Sequence, residues 1–152
     1  HLIDEYTRLV AEANAHTTVV QFTGETPNRD EILEKFAKGE LDVLTSMKCL
    51  DEGVDVPRSE MAIFCASTGK PRQFIQRRGR ILRTHKDKRF AIIHDLVVVP
   101  RIDYSSPSFK MERNLLNNEM KRVREFANLS ENSSDTLKEL EDILTYYQLP
   151  TF

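Results

Sequence analysis

"TTVVQFTGETPNRDEILEKFAKGELDVLTS" (17–46) decides how this chain folds. Its opening, "TTVVQFT" (17–23), is rich in β-branched residues and reads as a strand, which Gly24 breaks. Residues 26–39 read as a helix. Thr26 or Asn28 serves as cap, acidic residues fill the first turn, and Gly39 stands past the end. Its apolar face is Ile32, Leu33 and Phe36. "LDVLTS" (41–46) is a second short strand. Strand, helix and strand in immediate succession imply a crossover connection between parallel neighbours.

The alternation extends both ways. Residues 2–14 place Ile3, Tyr6, Leu9, Val10 and Ala13 near helical spacing. "MAIFCAS" (61–67) is a third strand, and "PRQFIQRRGRILR" (71–83) a helix opened by Pro71. "RFAIIHDLVVV" (89–99) is the fourth and longest strand, so apolar that burial on both faces is expected. The class is therefore α/β, a mostly parallel sheet with helices on both faces. Pro100 and the polar stretch to Pro107 mark a boundary, dividing the chain into 1–100 and 101–152. Beyond it, Leu115, Leu116, Met120, Val123 and Phe126 predict a helix over 108–127. "NLSENSS" (128–134) is a turn, and Leu137, Leu140, Ile143, Leu144 and Tyr147 predict a second helix over 135–148. This helical hairpin is too small to be a domain of its own, and is expected to pack on the sheet domain or on a neighbour.

Composition narrows the class of function. With 152 residues, 39% hydrophobic and 30% charged, the chain has the make-up of one compact soluble domain. No apolar run approaches the roughly 18–20 residues of a membrane span, so no membrane partner is expected. The chain opens on His1-Leu2-Ile3-Asp4, without initiator Met or signal pattern, and reads like the middle of something longer. Cys49 and Cys65 form no CxxC pair and cluster with no histidine. The expectation is no metal site in this chain, and two reduced cysteines in an intracellular, cytoplasmic protein.

A net charge of −2 hides an asymmetry. Residues 1–60 hold 13 acidic and 6 basic side chains, whereas residues 70–89 hold 9 basic ones against Asp87 alone. Charge this local points to a site. Within it, "QRRGRILR" (76–83) puts Gln76, Gly79, Arg80 and Arg83 at i, i+3, i+4 and i+7, on one helical face. Guanidinium groups suit phosphate through paired hydrogen bonds, and a glycine between them admits close approach. Arg77 flanks this face, and Arg78 falls on the apolar arc, where it needs a partner. Alone, such a helix is most often a solvated face. "LDEGVDVP" (50–57) adds weight. It follows one strand and precedes the next, where open parallel sheets bind ligands. Gly53 permits a tight turn, and Asp55 is an acceptor suited to a ribose hydroxyl.

Together, "TSMKCLDEGVDVP" (45–57) and "QFIQRRGRILR" (73–83) resemble motifs V and VI of superfamily 2 helicases, nearest the XPB-like, RadD-like and restriction-subunit branches. The resemblance covers residues 1–99, the second of two RecA-like motor domains. It implies that Arg80 and Arg83 are an arginine-finger pair for the γ-phosphate of ATP, ordered by Gln76. It implies that Gly53 and Asp55 contact the ribose, and that Thr23-Gly24, Thr45 and Ser46 meet the nucleic-acid backbone. Arg29 and Phe36 match a structural helix of the family. Met47, with Ser46 beside it, stands where many relatives carry Thr or Ser, a departure that removes the side-chain hydroxyl at that position and leaves backbone amides able to take its place.

Two absences complete the picture. "STGKP" (67–71) mimics the end of a Walker loop, but Phe64 and Pro71 occupy its required Gly and Ser/Thr positions. No DExx box follows a strand. The resemblance therefore places the phosphate cradle and the Mg²⁺ carboxylates on a preceding motor domain. It also implies that the chain begins just inside its own sheet, after a first strand. The expectation is the C-terminal motor half of an ATP-dependent helicase or translocase acting on nucleic acid, DNA first, in repair or restriction, and inactive as an isolated fragment. The alternative is a non-catalytic RecA-like module that docks a protein or binds nucleic acid through residues 70–89.

Overall fold

The computed structural model describes residues 2–47, 56, 59–65, 79 and 89–151. The chain divides into two compact units, His1–Phe64 with Arg72–His94, and Cys65–Pro71 with Asp95–Phe152. No helix among the described residues is long and apolar enough to cross a membrane.

The first unit is built on the βαβ segment. Helix α1 (Leu2–Ala13) leads into strand β1 (Val19–Phe22), helix α2 (Arg29–Lys38) and strand β2 (Val43–Ser46). The two strands pair in parallel, from Val19 opposite Val43 to Phe22 opposite Ser46. Side chains alternate across a strand, so Val19, Gln21, Val43 and Thr45 share one face, and Val20, Phe22, Leu44 and Ser46 the other. α1 takes the first face, where the Thr7 hydroxyl reaches Gln21 and Thr45. α2 takes the second, with Ile32 and Leu33 packed on fully buried Phe22 beside Leu44. A helix thus covers each face, as the alternation predicts. At the amino end, Asp42 accepts from the Thr18 N–H (2.8 Å) and hydroxyl (2.7 Å), which pins the register. Those bonds, backbone first, hold the Asp42 carboxyl below its usual pKa.

The start of α2 corrects the expected caps. Asn28 stands at the N-cap in the left-handed region (φ 54°), and its side chain caps nothing. The Thr26 hydroxyl instead accepts from the Thr23 N–H at 2.8 Å, because the turn before the helix needs it first. The end is as predicted. Gly39 adopts φ 78°, its N–H reaches the Phe36 carbonyl, and the Glu40 N–H reaches that of Lys35, both at 3.0 Å. This is the Schellman pattern that favours glycine. α1 also turns differently from its reading. Ile3 is buried and Val10 half-buried, while Tyr6 and Leu9 are exposed, so the face against the sheet runs through Thr7.

One continuous sheet was the expectation; the described residues form two two-stranded sheets. β3 (Met61–Phe64) pairs with β4 (Ile92–Asp95), apart from β1 and β2. β4 is also shorter than the 89–99 stretch predicts, and it is not buried on both faces. Ile92, Leu96 and Val98 are 53%, 55% and 63% exposed. An apolar run records what a strand can bury; layers on both sides decide what it does bury.

In the second unit, α3 (Phe109–Ala127) packs its Leu116, Met120 and Val123 against Ile143, Leu144, Tyr147 and Leu149, with Val97 at the margin. The helical segment therefore has a core of its own. Its second arm is two short helices, α4 (Ser133–Lys138) and α5 (Glu141–Tyr146), rather than one over 135–148. The Leu140 N–H bonds back three residues to Leu137, a 3₁₀ tightening that interrupts the α register. Arg113 bonds the Tyr147 carbonyl at 2.9 Å and that of Gln148 at 3.3 Å, holding the chain after α5. Buried Arg122 pairs with Asp95 and Glu119. Burial pulls its pKa down, and the two carboxylates more than offset this, for a net rise.

Candidate functional site

Because β1 and β2 are parallel, their carboxyl ends lie at one edge, with Phe22 opposite Ser46. The segments leaving them are Thr23-Gly24 and Ser46-Met47. The structure thus brings together four of the sequence-predicted residues, Thr23, Gly24, Thr45 and Ser46, at the edge where open parallel sheets bind ligands.

The turn at this edge is closed by its own polar groups. The Thr26 N–H donates to the Thr23 carbonyl at 3.3 Å, and the Thr26 hydroxyl donates to the Gln21 carbonyl at 3.3 Å. The Glu25 N–H donates to the Thr23 hydroxyl, also at 3.3 Å. Gly24 sits exposed at the tip. Its φ is not left-handed, and a Cβ built on it would meet nothing within 4 Å. Neither backbone angle nor packing requires glycine there. What a bare Cα does provide is access for a group arriving from outside the fold.

The two β2 residues diverge. Ser46 is exposed at the strand end, and Met47 follows it, 49% exposed. Thr45 is half-buried and turns toward α1, where its hydroxyl lies 2.6 Å from that of Thr7. The Arg29 guanidinium lies 5.0 Å from the Phe22 ring centre, a cation stacked on the residue before the turn. That packing agrees with the structural role the sequence suggests for Arg29.

Gln76, Arg80, Arg83, Gly53, Asp55 and Arg78 lie outside the described residues, as do the "STGKP" stretch and all of the predicted 71–83 helix except Gly79. Gly79 is helical and exposed, and an added Cβ there would also meet nothing within 4 Å. Sequence reasoning missed Thr7 and misassigned Thr26. Thr7 had a signal, a hydroxyl within the apolar stripe Ile3–Val10 of an amphipathic helix. Thr26 had none, because its bond depends on how the turn closes.

Comparison with known proteins sets this edge in context. The pattern of the helicase conserved C-terminal domain matches residues 2–85. The DNA 3'-5' translocase XPB2 of Sulfurisphaera tokodaii is 44% identical over 86 residues, which are 57% of this chain and 19% of that protein. The DNA 3'-5' helicase XPB of Mycobacterium tuberculosis is 30% identical over 102 residues, 66% of this chain and 18% of that protein. The chain thus spans less than a fifth of the length of these curated relatives. Among solved structures, domain 2 of the DEAD-box helicase Mss116p, bound to an RNA duplex, superposes with a TM-score of 0.52 at 12% identity, covering 99% of this chain and 64% of that one.

Proposed function

This chain belongs to the helicase conserved C-terminal domain family of superfamily 2, and on that premise we propose that it is the second RecA-like motor half of an ATP-dependent DNA translocase or helicase. The observation that carries the proposal is the edge shared by β1 and β2. A glycine that the fold does not need stands there beside an exposed hydroxyl, both at positions the family resemblance assigns to the nucleic-acid backbone. The names of the curated relatives favour DNA.

In this reading ATP and Mg²⁺ are held mainly by a preceding motor domain. The sequence holds no Walker-type phosphate loop, whereas its arginine-rich 76–83 stretch has the donors to meet an anionic γ-phosphate. ATP supplies the phosphoryl group whose transfer drives the motor. Arg80 and Arg83 stabilise charge on the phosphate oxygens, Gln76 orders them, and Gly53 and Asp55 hold the ribose side. Trans-acting arginines contribute on the order of 10³–10⁵ in rate. Opening and closing of the cleft between motor domains moves the Thr23-Gly24 and Ser46 edge along the backbone. Contacts made to phosphates are salt-sensitive and weakly sequence-specific.

The test is Arg80→Ala in the complete motor. It abolishes hydrolysis and leaves ATP binding within a few-fold. Hydrolysis at the wild-type rate sinks the finger assignment. The chain alone hydrolyses no ATP, and turnover at an ordinary motor rate would show that the nucleotide site is complete within it. Arg80→Ala with Arg83→Ala also separates the alternative, since a simple binding patch loses nucleic-acid affinity where a finger loses hydrolysis.

A further inference from the structure

The chain leaves α5 in a conformation that its residue type does not favour. The Leu149 N–H donates to the Leu144 carbonyl at 2.9 Å, and the Gln148 N–H to that of Thr145 at 3.1 Å. This is again the Schellman pattern, here with Gln148 at the left-handed position, φ 51°. At the end of α2 the same position is filled by Gly39. A glutamine there carries the strain of a Cβ, and the turn makes no use of its side chain. Arg113 takes only the Gln148 carbonyl, at 3.3 Å, which any residue would supply.

What the Gln148 side chain does line is an open concavity of about 400 Å³, together with Phe109, Lys110, Arg113 and Asn114 of α3. Among the described residues, the side chains of Lys110, Asn114 and Gln148 have no hydrogen-bond partner. Arg113 bonds only neutral carbonyls, and neither it nor Lys110 has a carboxylate in ion-pair range. Glu112, between them in sequence, is taken up by the hydroxyls of Tyr147 (2.9 Å) and Ser106 (2.8 Å). The concavity therefore presents two cations without a counter-charge. Its Phe109 ring is steadied by Tyr146 and Tyr147, at centroid distances of 5.7 and 5.2 Å.

We propose that this concavity, built from the second unit alone, docks one nucleotide of a single nucleic-acid strand. Lys110 and Arg113 meet the anionic phosphate. The primary amides of Asn114 and Gln148 donate and accept side by side, as the edge of a base does. An aromatic ring such as that of Phe109 stacks on any base. An acidic side chain would satisfy the cations, but its oxygens only accept, so the two amide oxygens would go unmet.

The probe is a phosphorylated deoxyadenosine trinucleotide, short enough for one site, titrated into the isotope-labelled full chain and followed by NMR. The side-chain amide signals of Asn114 and Gln148 move as it binds; signals that stay still overturn the proposal. Inorganic phosphate and an aspartate tripeptide at the same concentration leave them in place. Movement as large with phosphate means a plain anion site, and with the peptide an acidic-peptide site, and either overturns the proposal. Gln148→Gly relieves the left-handed backbone, so its thermal midpoint holds or rises while trinucleotide affinity falls about two- to tenfold, the scale of one neutral hydrogen bond. Unchanged affinity overturns the proposal, and a lower midpoint overturns the argument from strain and the proposal with it. Lys110→Gln lowers the slope of log affinity against log salt by about 0.7, the share of one phosphate contact on a single strand. A merely structural lysine leaves that slope as it was, and that result also overturns the proposal. Trinucleotide shifts confined to residues 23–24 and 45–46 overturn this site and leave the reading of the β1/β2 edge intact.

Discussion

Gly24→Ala separates the fold from the site at a single position. In the folded chain the added methyl has open space, and φ is already one that alanine adopts. The change therefore acts mainly on the unfolded chain, whose conformational freedom it reduces, and stabilises by about 0.4–1 kcal/mol. In a unit of this size the transition rises by roughly 2–8 °C. Gly39→Ala is the control, the same chemical change at φ 78°. There the left-handed backbone penalises a Cβ, and the variant loses about 1–2 kcal/mol. Two glycines on either side of α2 thus respond with opposite sign.

Binding is expected to move against stability at Gly24. If a phosphate approaches the bare Cα closely, the methyl displaces it from its donors. Loss of one hydrogen bond to a charged group weakens affinity by about tenfold or more. Thermal unfolding by circular dichroism gives the first quantity, and anisotropy of a labelled oligonucleotide the second. A more stable protein that binds less well is the expected pair. Destabilisation of Gly24→Ala by 1 kcal/mol or more refutes the turn geometry, at about the scale of the Gly39 effect. Unchanged affinity in a stable variant refutes the close approach and removes the reason given for glycine at the tip.

Two further predictions concern the helical unit. Arg122→Met removes the cation shared by Asp95 and Glu119, whose side chains are 12% and 22% exposed. Unfolding in urea should show a loss of about 3–5 kcal/mol, and a loss under 1 kcal/mol would mean that the carboxylates are better solvated than their burial indicates. Tyr147 has its hydroxyl proton pushed up to about 12, first by burial and then by its 2.9 Å bond to Glu112. A raised folded-state pKa gives stability that is whole below the unfolded value near 10 and is lost as pH rises toward 12. Alkaline titration followed by near-ultraviolet dichroism should show this loss, and Tyr147→Phe should flatten it; a wild-type profile in the variant rules Tyr147 out as the source.

Local pattern made much of this molecule legible, and the limits of legibility have physical causes. Repeats of period two and 3.6 report which face an element can bury. The parallel β1/β2 pair, the Schellman end at Gly39 and the α3 stripe of Leu116, Met120 and Val123 were readable for that reason. Coverage is a different quantity. The 89–99 run has the apolar content of a doubly buried strand, yet Ile92 and Val98 are more than half exposed. The break between α4 and α5 is a competition between hydrogen-bond registers, with no glycine or proline to announce it.

The site divides along the same line. Residues proposed to meet a ligand were nominated from motif order alone, because contact with a fixed chemical group constrains residue type at each step of the sequence. Thr7 escaped because its partner is chosen by how α1 lies on the sheet, and the sequence holds only half of that choice, a hydroxyl where a valine would pack. The motif likewise sets Thr45 and Ser46 side by side as equal candidates. A strand sends adjacent side chains to opposite faces, so the two cannot present their hydroxyls to one phosphate in the same way. Once α1 occupies the Thr45 face, the Thr7 hydroxyl meets that of Thr45 there, and no periodicity in the sequence announces that pairing.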